Sequence, residues 1–295
     1  MKKILSIRRT QAAHWVGDGF PVRNIFSYRD IAKDISPFLL LDYAGPMEFA
    51  PNPSAKRRGV GSHPHRGFET VTIVYQGEVE HRDSAGGGGV IGPGDVQWMT
   101  AASGLVHEER HGERFSKSGG LFEIVQLWVN LPKEYKMTHP RYQGIPATSI
   151  PAVQLPHNVG TVRVIAGEFA DVRGPAKTFS PINLWDMRLS AGGKVVCKVP
   201  EGHTTLLLIV SGKVEFAGRQ TLGAAELAVL EPQGEIVEMN ILEDTKVLLL
   251  GGRPLEEPIV AHGPFVMSSE AEILQAIRDF NDGKMGAMDP IEGSD

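Results

Sequence analysis

The chain has 295 residues, 41% of them hydrophobic, with 35 acidic against 30 basic residues and a formal charge of −5. That length carries ample core, most simply as two domains, and the mixed-sign, slightly acidic balance excludes a general nucleic-acid surface. A single cysteine, Cys197, excludes an internal disulfide, no apolar run reaches a membrane span, and the start Met1-Lys2-Lys3-Ile4-Leu5 lacks a secretory apolar stretch, so a cytoplasmic location is expected.

In chain order, short apolar runs punctuated by Gly, Pro and Asn predict strands with little helical periodicity before the end. The first half offers strands over 38–41, 69–75, 78–83, 96–100 and 123–129. Between the first two, Lys56-Arg57-Arg58 reads as a solvated loop. A Pro- and Gly-rich connection over 132–156 reads as a crossover between domains. The second half offers strands over 161–166, 183–189, 205–210, 213–216, 226–230 and 245–250. At the end, Ser269 and Glu272 form a capping box, Ile273, Ile277 and Phe280 follow at helical spacing, and Gly283 stops the helix.

Two segments carry chemistry: Gly61-Ser62-His63-Pro64-His65-Arg66-Gly67-Phe68-Glu69 and Gly104-Leu105-Val106-His107-Glu108-Glu109. Side chains two apart on a strand share a face. His63 and His65 therefore look one way, as do His107 and Glu109. A lone His-x-His is more often a pair of polar positions on a half-exposed strand, but the second pair supplies three imidazoles and a carboxylate for one point. That donor set suits iron, zinc, copper, nickel, manganese or cobalt. Glu69, taken to continue the parity of His63 and His65, is a candidate fifth ligand or an acceptor for an imidazole N–H. Glu108 should face away.

An internal repeat appears when Gly77 is laid on Gly212. Thr70-Val71-Thr72-Ile73-Val74-Tyr75-Gln76-Gly77 then meets Thr205-Leu206-Leu207-Leu208-Ile209-Val210-Ser211-Gly212, and Gly92-Pro93-Gly94-Asp95 meets Gly223-Ala224-Ala225-Glu226. The chain reads as two copies of one β-barrel. The second copy sets Lys198, Pro200 and Thr204 opposite His63, His65 and Glu69, and Glu238 and Asn240 opposite His107 and Glu109. One metal per chain is therefore expected, in the first barrel. Cys197 reads as a small buried hydrophobe, and the remaining histidines, His81 and His111 among them, lack a paired spacing.

The Gly61–Glu69 segment resembles the first cupin motif, and Gly92-Pro93-Gly94-Asp95 resembles the turn of the second. His63-Pro64-His65-Arg66-Gly67-Phe68-Glu69-Thr70-Val71, Pro93-Gly94-Asp95-Val96-Gln97-Trp98-Met99-Thr100-Ala101, Pro140-Arg141-Tyr142-Gln143 and Gly263-Pro264-Phe265-Val266-Met267 resemble pirins. The resemblance implies an all-β chain of two tandem, jelly-roll-like cupin barrels with a short C-terminal helix. Residues 1–135 would form the metal-binding barrel and 136–295 a barrel without ligands. It implies one divalent metal, Fe(II) above the others, on His63, His65, His107 and Glu109, with Glu69 reduced to a supporting role. Two functions follow. One is a quercetin 2,3-dioxygenase acting on a flavonol and O2, with Glu109 able to take the substrate proton and Phe68, Trp98 and Met99 as its apolar wall. The other is a redox-sensing regulator that binds a transcription regulator or a metabolic enzyme. A monomer without membrane or direct nucleic-acid contact is expected.

Overall fold

Alternation of buried and open positions governs the strands, as period-two side-chain geometry requires. Val79–Asp83 alternates from a buried valine, and Lys194–Lys198 buries only Val195 and Cys197. The structure, a computed structural model, describes residues 1–9, 12–54, 56–216 and 219–288. Among these no helix is long and apolar enough to cross a membrane.

The chain folds into two units. One comprises Met1–Gln11, Ile25–Leu39 and Thr148–Leu255, and the other Ala12–Asn24, Leu40–Ala147 and Glu256–Asp295. A single division between residues 135 and 136 does not describe them, because both ends of the chain join the barrel formed by the opposite half. Ile4–Arg8 pairs antiparallel with Glu226–Leu230, and Ile4 and Ile7 pack on that barrel's core. The helix Glu270–Asn281 belongs to the unit that contains the His pairs. An open sheet edge accepts any segment with a matching apolar face, so neighbourhood in sequence does not decide its partner.

The duplication is visible strand by strand. The first barrel has a seven-stranded sheet in the order Arg141–Ile145, Val96–Thr100, Phe68–Gln76, Gly120–Asn130, Phe38–Phe49, Phe20–Ser27, His14–Val16. Its counterpart runs Ile4–Arg8, Glu226–Leu230, Thr204–Ser211, Thr245–Gly252, Ile182–Leu189, Gly160–Ala166, Ala152–Gln154. Each barrel adds a four-stranded sheet: Gly59–His65, Leu105–His111, Val79–Asp83, Gly88–Ile91 in the first, and Lys194–Lys198, Ile236–Ile241, Lys213–Phe216, Gln220–Gly223 in the second. Position for position the two orders agree.

The interiors differ. The second barrel is filled by an apolar cluster that includes Trp185, Val195, Cys197, Val237, Met239 and Ile241. Cys197 faces Val237 and Val195 faces Met239 across the strand pair that corresponds to the His-bearing one. Burial pushes the Cys197 thiol up to about 12, so it packs as a hydrophobe. The sequence comparison, which set Glu238 and Asn240 against His107 and Glu109, is one position off. Glu238 faces outward to Lys194 at 2.8 Å, and Asn240 bonds Glu215.

The terminal helix starts as expected: Ser269 Oγ accepts from the Glu272 N–H, and the Glu272 carboxylate accepts from the Ser268 N–H at 2.9 Å. Ile273 and Ala276 pack with Val106, Phe265, Met267 and Met285, while Phe280 stays 38% exposed. Asp279 anchors the helix through Arg66, two residues of chain away from the Pro64 position, at 2.8 Å.

Candidate metal centre

Gly59–His65 lies antiparallel to Leu105–His111, with His63 opposite His107 and His65 opposite Leu105. That register gathers three imidazoles. Ring centroids are 4.2 Å apart for His63 and His107, 4.8 Å for His63 and His65, and 4.9 Å for His65 and His107. Each ring offers one nitrogen, and these three nitrogens lie within 4.8 Å of one another.

The surrounding hydrogen bonds prepare the rings as ligands. His63 Nδ1–H donates to the Gly61 carbonyl at 2.8 Å and His65 Nδ1–H to the Pro264 carbonyl at 3.3 Å. A carbonyl only accepts, so both rings carry the proton on Nδ1 and keep Nε2 as a lone pair. His107 Nε2 is buried and, among the described residues, has no hydrogen-bond partner, a situation that a folded protein rarely leaves uncompensated. Burial, then the neighbouring His63, pushes the His65 pKa down to about 3. Burial, then His65, His63 and His81, holds His107 well below its ordinary value. Nitrogen-only, mutually facing and partnerless at one buried atom among the described residues, the cluster fits a transition-metal ion.

Glu109 shares the inward face of its strand with His107, but its carboxylate lies outside the three-nitrogen group. It accepts from the Gln97 amide, from Gln126 Nε2 at 2.7 Å and from Thr72 Oγ1 at 3.3 Å. A bulge accounts for the offset: His107 pairs with His63, whereas Glu109 pairs with Val60, so Gly61 and Ser62 face Glu108 alone. Glu108 does face away, gripping Arg82 at 2.7 Å and Arg110 at 3.0 Å.

Glu69 departs from the parity reading. The chain changes strands at Arg66-Gly67, where Gly67 takes φ +88° and a Cβ would meet the Val266 carbonyl at 2.0 Å. Parity does not cross such a turn. Thr72 faces the site, so Glu69, three residues earlier, takes the opposite face of Phe68–Gln76. Its carboxyl accepts from Thr100 Oγ1 at 2.7 Å and lies 3.9 Å from Arg141. Burial pushes its pKa up to about 7.

The expected apolar wall divides the same way. Phe68 faces His65, with centroids 4.9 Å apart, and Met99 packs with Leu105 and Tyr142 on the face that Gln97 shares. Trp98, fully buried, alternates to the other face. A small cavity reaches Glu109 and Gln126 elsewhere, between Val16, Phe20, Val22 and Val60.

Sequence reasoning gave His81 no more than a place at the pocket mouth and passed over Asp83; the two bond to each other at 3.1 Å on the strand beside that of His107. The signal was present as another i, i+2 pair on a strand. Gln97, Gln126 and Tyr142 carry no such signal, since neutral polar residues on strands are common. His111 is a structural histidine boxed by Phe20, Phe49, Phe115 and Phe122, with Nε2–H donating to the Gly19 carbonyl at 2.8 Å.

Comparison with known proteins agrees with this geometry. Residues 19–129 match the Pirin family and residues 184–286 match the Pirin C-terminal cupin domain. A Pseudomonas aeruginosa protein provisionally named quercetin 2,3-dioxygenase is 55% identical over 284 residues, covering 96% of this chain and 98% of its own. Mouse pirin is 37% identical over 261 residues, covering 86% of this chain and 84% of its own. A crystal structure of quercetin 2,3-dioxygenase from Acinetobacter baumannii, 55% identical, superposes with a TM-score of 0.94 over 97% of this chain and 99% of that one. The two barrels are cupin domains, the histidine cluster sits in the N-terminal one, and the chain belongs to the pirin family.

Proposed function

We infer that the protein is a metal-dependent dioxygenase of the quercetin 2,3-dioxygenase type, converting a flavonol and O2 into a depside ester and carbon monoxide. The observation that carries this reading is the three-imidazole cluster, with His65 and His107 buried and His107 Nε2 without a partner among the described residues, in a chain that shares 55% identity along nearly its whole length with a protein of that name. His63, His65 and His107 would hold the metal by their nitrogens, with Glu109 as the carboxylate ligand. That donor set takes several first-row divalent ions, and Fe(II) is the one the pirin resemblance favours. When bound, it would lower the pKa of the substrate 3-hydroxyl and supply the redox chemistry with O2.

The protein's own groups have distinct tasks. Glu109 is the base that receives the 3-hydroxyl proton, and Gln97 and Gln126 orient its carboxylate by donating to both oxygens. Phe68 and Met99 form the apolar floor beside the imidazoles. The cavity at Val16, Phe20, Val22 and Val60 reaches Glu109 but, at about 20 Å³, has room for a water molecule and not for a flavonol. Trp98 supports the sheet from behind.

The test is anaerobic reconstitution with Fe(II) followed by addition of quercetin and air-saturated buffer. Quercetin and O2 should disappear in equal amounts with release of carbon monoxide, and His63→Ala should lose turnover while remaining folded. Absence of turnover with any flavonol at full iron loading would sink the reading.

A further inference from the structure

His81 lies outside the three-nitrogen group, yet its ring meets the nitrogen of His107 that faces away from that group. Across the antiparallel pair formed by Val79–Asp83 and Leu105–His111, His81 is opposite Glu109 and Asp83 is opposite His107. His81 and Asp83 are both buried. His81 Nε2 is 3.1 Å from Asp83 Oδ2, and its Nδ1 is 3.4 Å from His107 Nδ1. Asp83 Oδ1 is held in turn by the N–H groups of Ala85 and Gly87, each at 2.9 Å. Tyr142 stacks on the far side of the His81 ring, centroids 5.0 Å apart and planes inclined by 14°.

With His81 and His107 each carrying a single proton, the hydrogen-bond geometry along this line has one consistent solution. Burial alone would raise Asp83, but hydrogen bonds from His81, Gly87 and Ala85 hold its carboxyl below the ordinary range, so it is an acceptor. His81 must then carry its proton on Nε2. In a neutral imidazole that leaves Nδ1 as a lone pair, which can only accept from His107 Nδ1–H. His107 Nε2 is thereby left bare, and it is the buried nitrogen without a partner. His63 and His65 obtain the same tautomer from backbone carbonyls; among the described residues the neighbour of His107 Nδ1 is a side chain, His81.

We propose that His81 and Asp83 are a positioning relay that fixes His107 as the Nδ1–H tautomer, aims its Nε2 at the metal and, by ending on a carboxylate, strengthens it as a ligand. The proposal rests on the metal-centre reading above. Supporting partners of this kind are worth about ten- to hundred-fold in metal affinity.

The experiment compares wild type, Asp83→Asn, His81→Phe and His63→Ala. Asp83→Asn keeps an oxygen for Ala85 and Gly87 but can turn its NH2 toward His81, which reverses the His81 tautomer and points a proton at His107. Co(II) affinity is measured by competition with a chromophoric chelator, together with the visible absorption of the Co(II) protein. Histidine nitrogen NMR shifts are recorded on the metal-free protein, and its melting is followed by circular dichroism. The expected result is Co(II) binding weakened about ten- to hundred-fold in Asp83→Asn and His81→Phe with a changed Co(II) spectrum, metal-free melting close to wild type, and no binding in His63→Ala. In the metal-free wild type, His81 should be protonated on Nε2 and His107 on Nδ1, with both reversed in Asp83→Asn. Wild-type affinity and spectrum in both relay variants, or a His81 proton on Nδ1 in wild type, would overturn the relay while leaving the metal centre standing. Failure of wild type to bind Co(II), or unchanged binding in His63→Ala, would overturn the metal reading and the relay with it.

Discussion

His63 and His107 face each other as partners across two antiparallel strands, their rings 4.2 Å apart. A strand pair is rigid, so this approach is imposed by the ladder and does not depend on a metal to draw the rings together. Preorganisation of that kind predicts tight binding and a clear stability linkage. At a free metal concentration about 100 times Kd, binding stabilises the folded barrel by about 2.7 kcal/mol. Differential scanning calorimetry with and without chelator should show the transition rising on metal addition in wild type and not in His107→Ala. An unchanged transition in wild type would mean that the site does not bind the ion used.

Burial moves two groups of the same barrel in opposite senses, and their pH dependences can be separated. His65 has a folded pKa of about 3 against 6.5, so between these values the unfolded chain holds the extra proton and the metal-free protein loses stability as pH falls. Glu69 has a folded pKa of about 7 against 4.5, so the folded state holds the proton in that window. Its contribution is present below pH 4.5 and lost as pH rises through 7. Glu69→Gln, which can keep the bond from Thr100, should therefore stabilise the metal-free protein by up to about 3 kcal/mol at pH 8 and by little at pH 4.5. Urea unfolding at the two pH values checks this, and an equal effect at both would refute it.

Lys136 is 2% exposed and donates to the Gly67 carbonyl at 2.7 Å, Asn130 Oδ1 at 2.6 Å and the Val266 carbonyl at 3.0 Å. It ties the turn after His65 to the segment whose Pro264 carbonyl receives His65. Lys136→Met leaves these acceptors buried without a donor. The expected loss is at least about 2 kcal/mol, seen as a lower urea midpoint at unchanged m. A midpoint equal to wild type would show that the acceptors find other donors.

Much of this barrel was legible because strand periodicity is local. His63, His65, His107 and Glu109 follow from i, i+2 spacing, and so does the outward turn of Glu108. The same rule misplaced Glu69, because it presumes one uninterrupted strand, and a glycine at φ +88° ends the strand between His65 and Phe68. Trp98 was set in the wall for its apolar character and not by parity, and that character does not say which sheet face borders the site when both faces are buried. The partner of Ile4–Arg8 was not legible at all: sheet edges are completed by segments remote in sequence, and no short-range pattern encodes that choice.

The carboxylate clamp should separate chemistry from metal loading. Gln126 Nε2 donates to Glu109 at 2.7 Å from a neighbouring strand of the seven-stranded sheet. Gln126→Leu removes that donor with little change in volume. Flavonol turnover should fall about ten- to hundred-fold in kcat, with iron content near that of wild type by elemental analysis. Loss of iron in proportion to activity would instead make Gln126 a residue of metal retention.

The side from which substrate reaches Glu109 can be tested by one substitution on each face of the sheet. Val60 borders the small cavity that reaches Glu109, whereas Trp98 lies behind the sheet with no exposed surface. Val60→Trp places an indole beside Glu109, and KM for quercetin should rise by about tenfold or more, the scale of 1.4 kcal/mol, at unchanged iron content. Trp98→Phe should leave KM alone and lower stability by about 1–3 kcal/mol through the space left in the sheet packing. A raised KM in Trp98→Phe with a normal one in Val60→Trp would move the substrate to the opposite side of the sheet. In that case the bulge between His63 and Val60 would serve only to orient Glu109, and entry would have to be sought beside Met99 and Tyr142, where the inward face of Val96–Thr100 meets Arg141–Ile145.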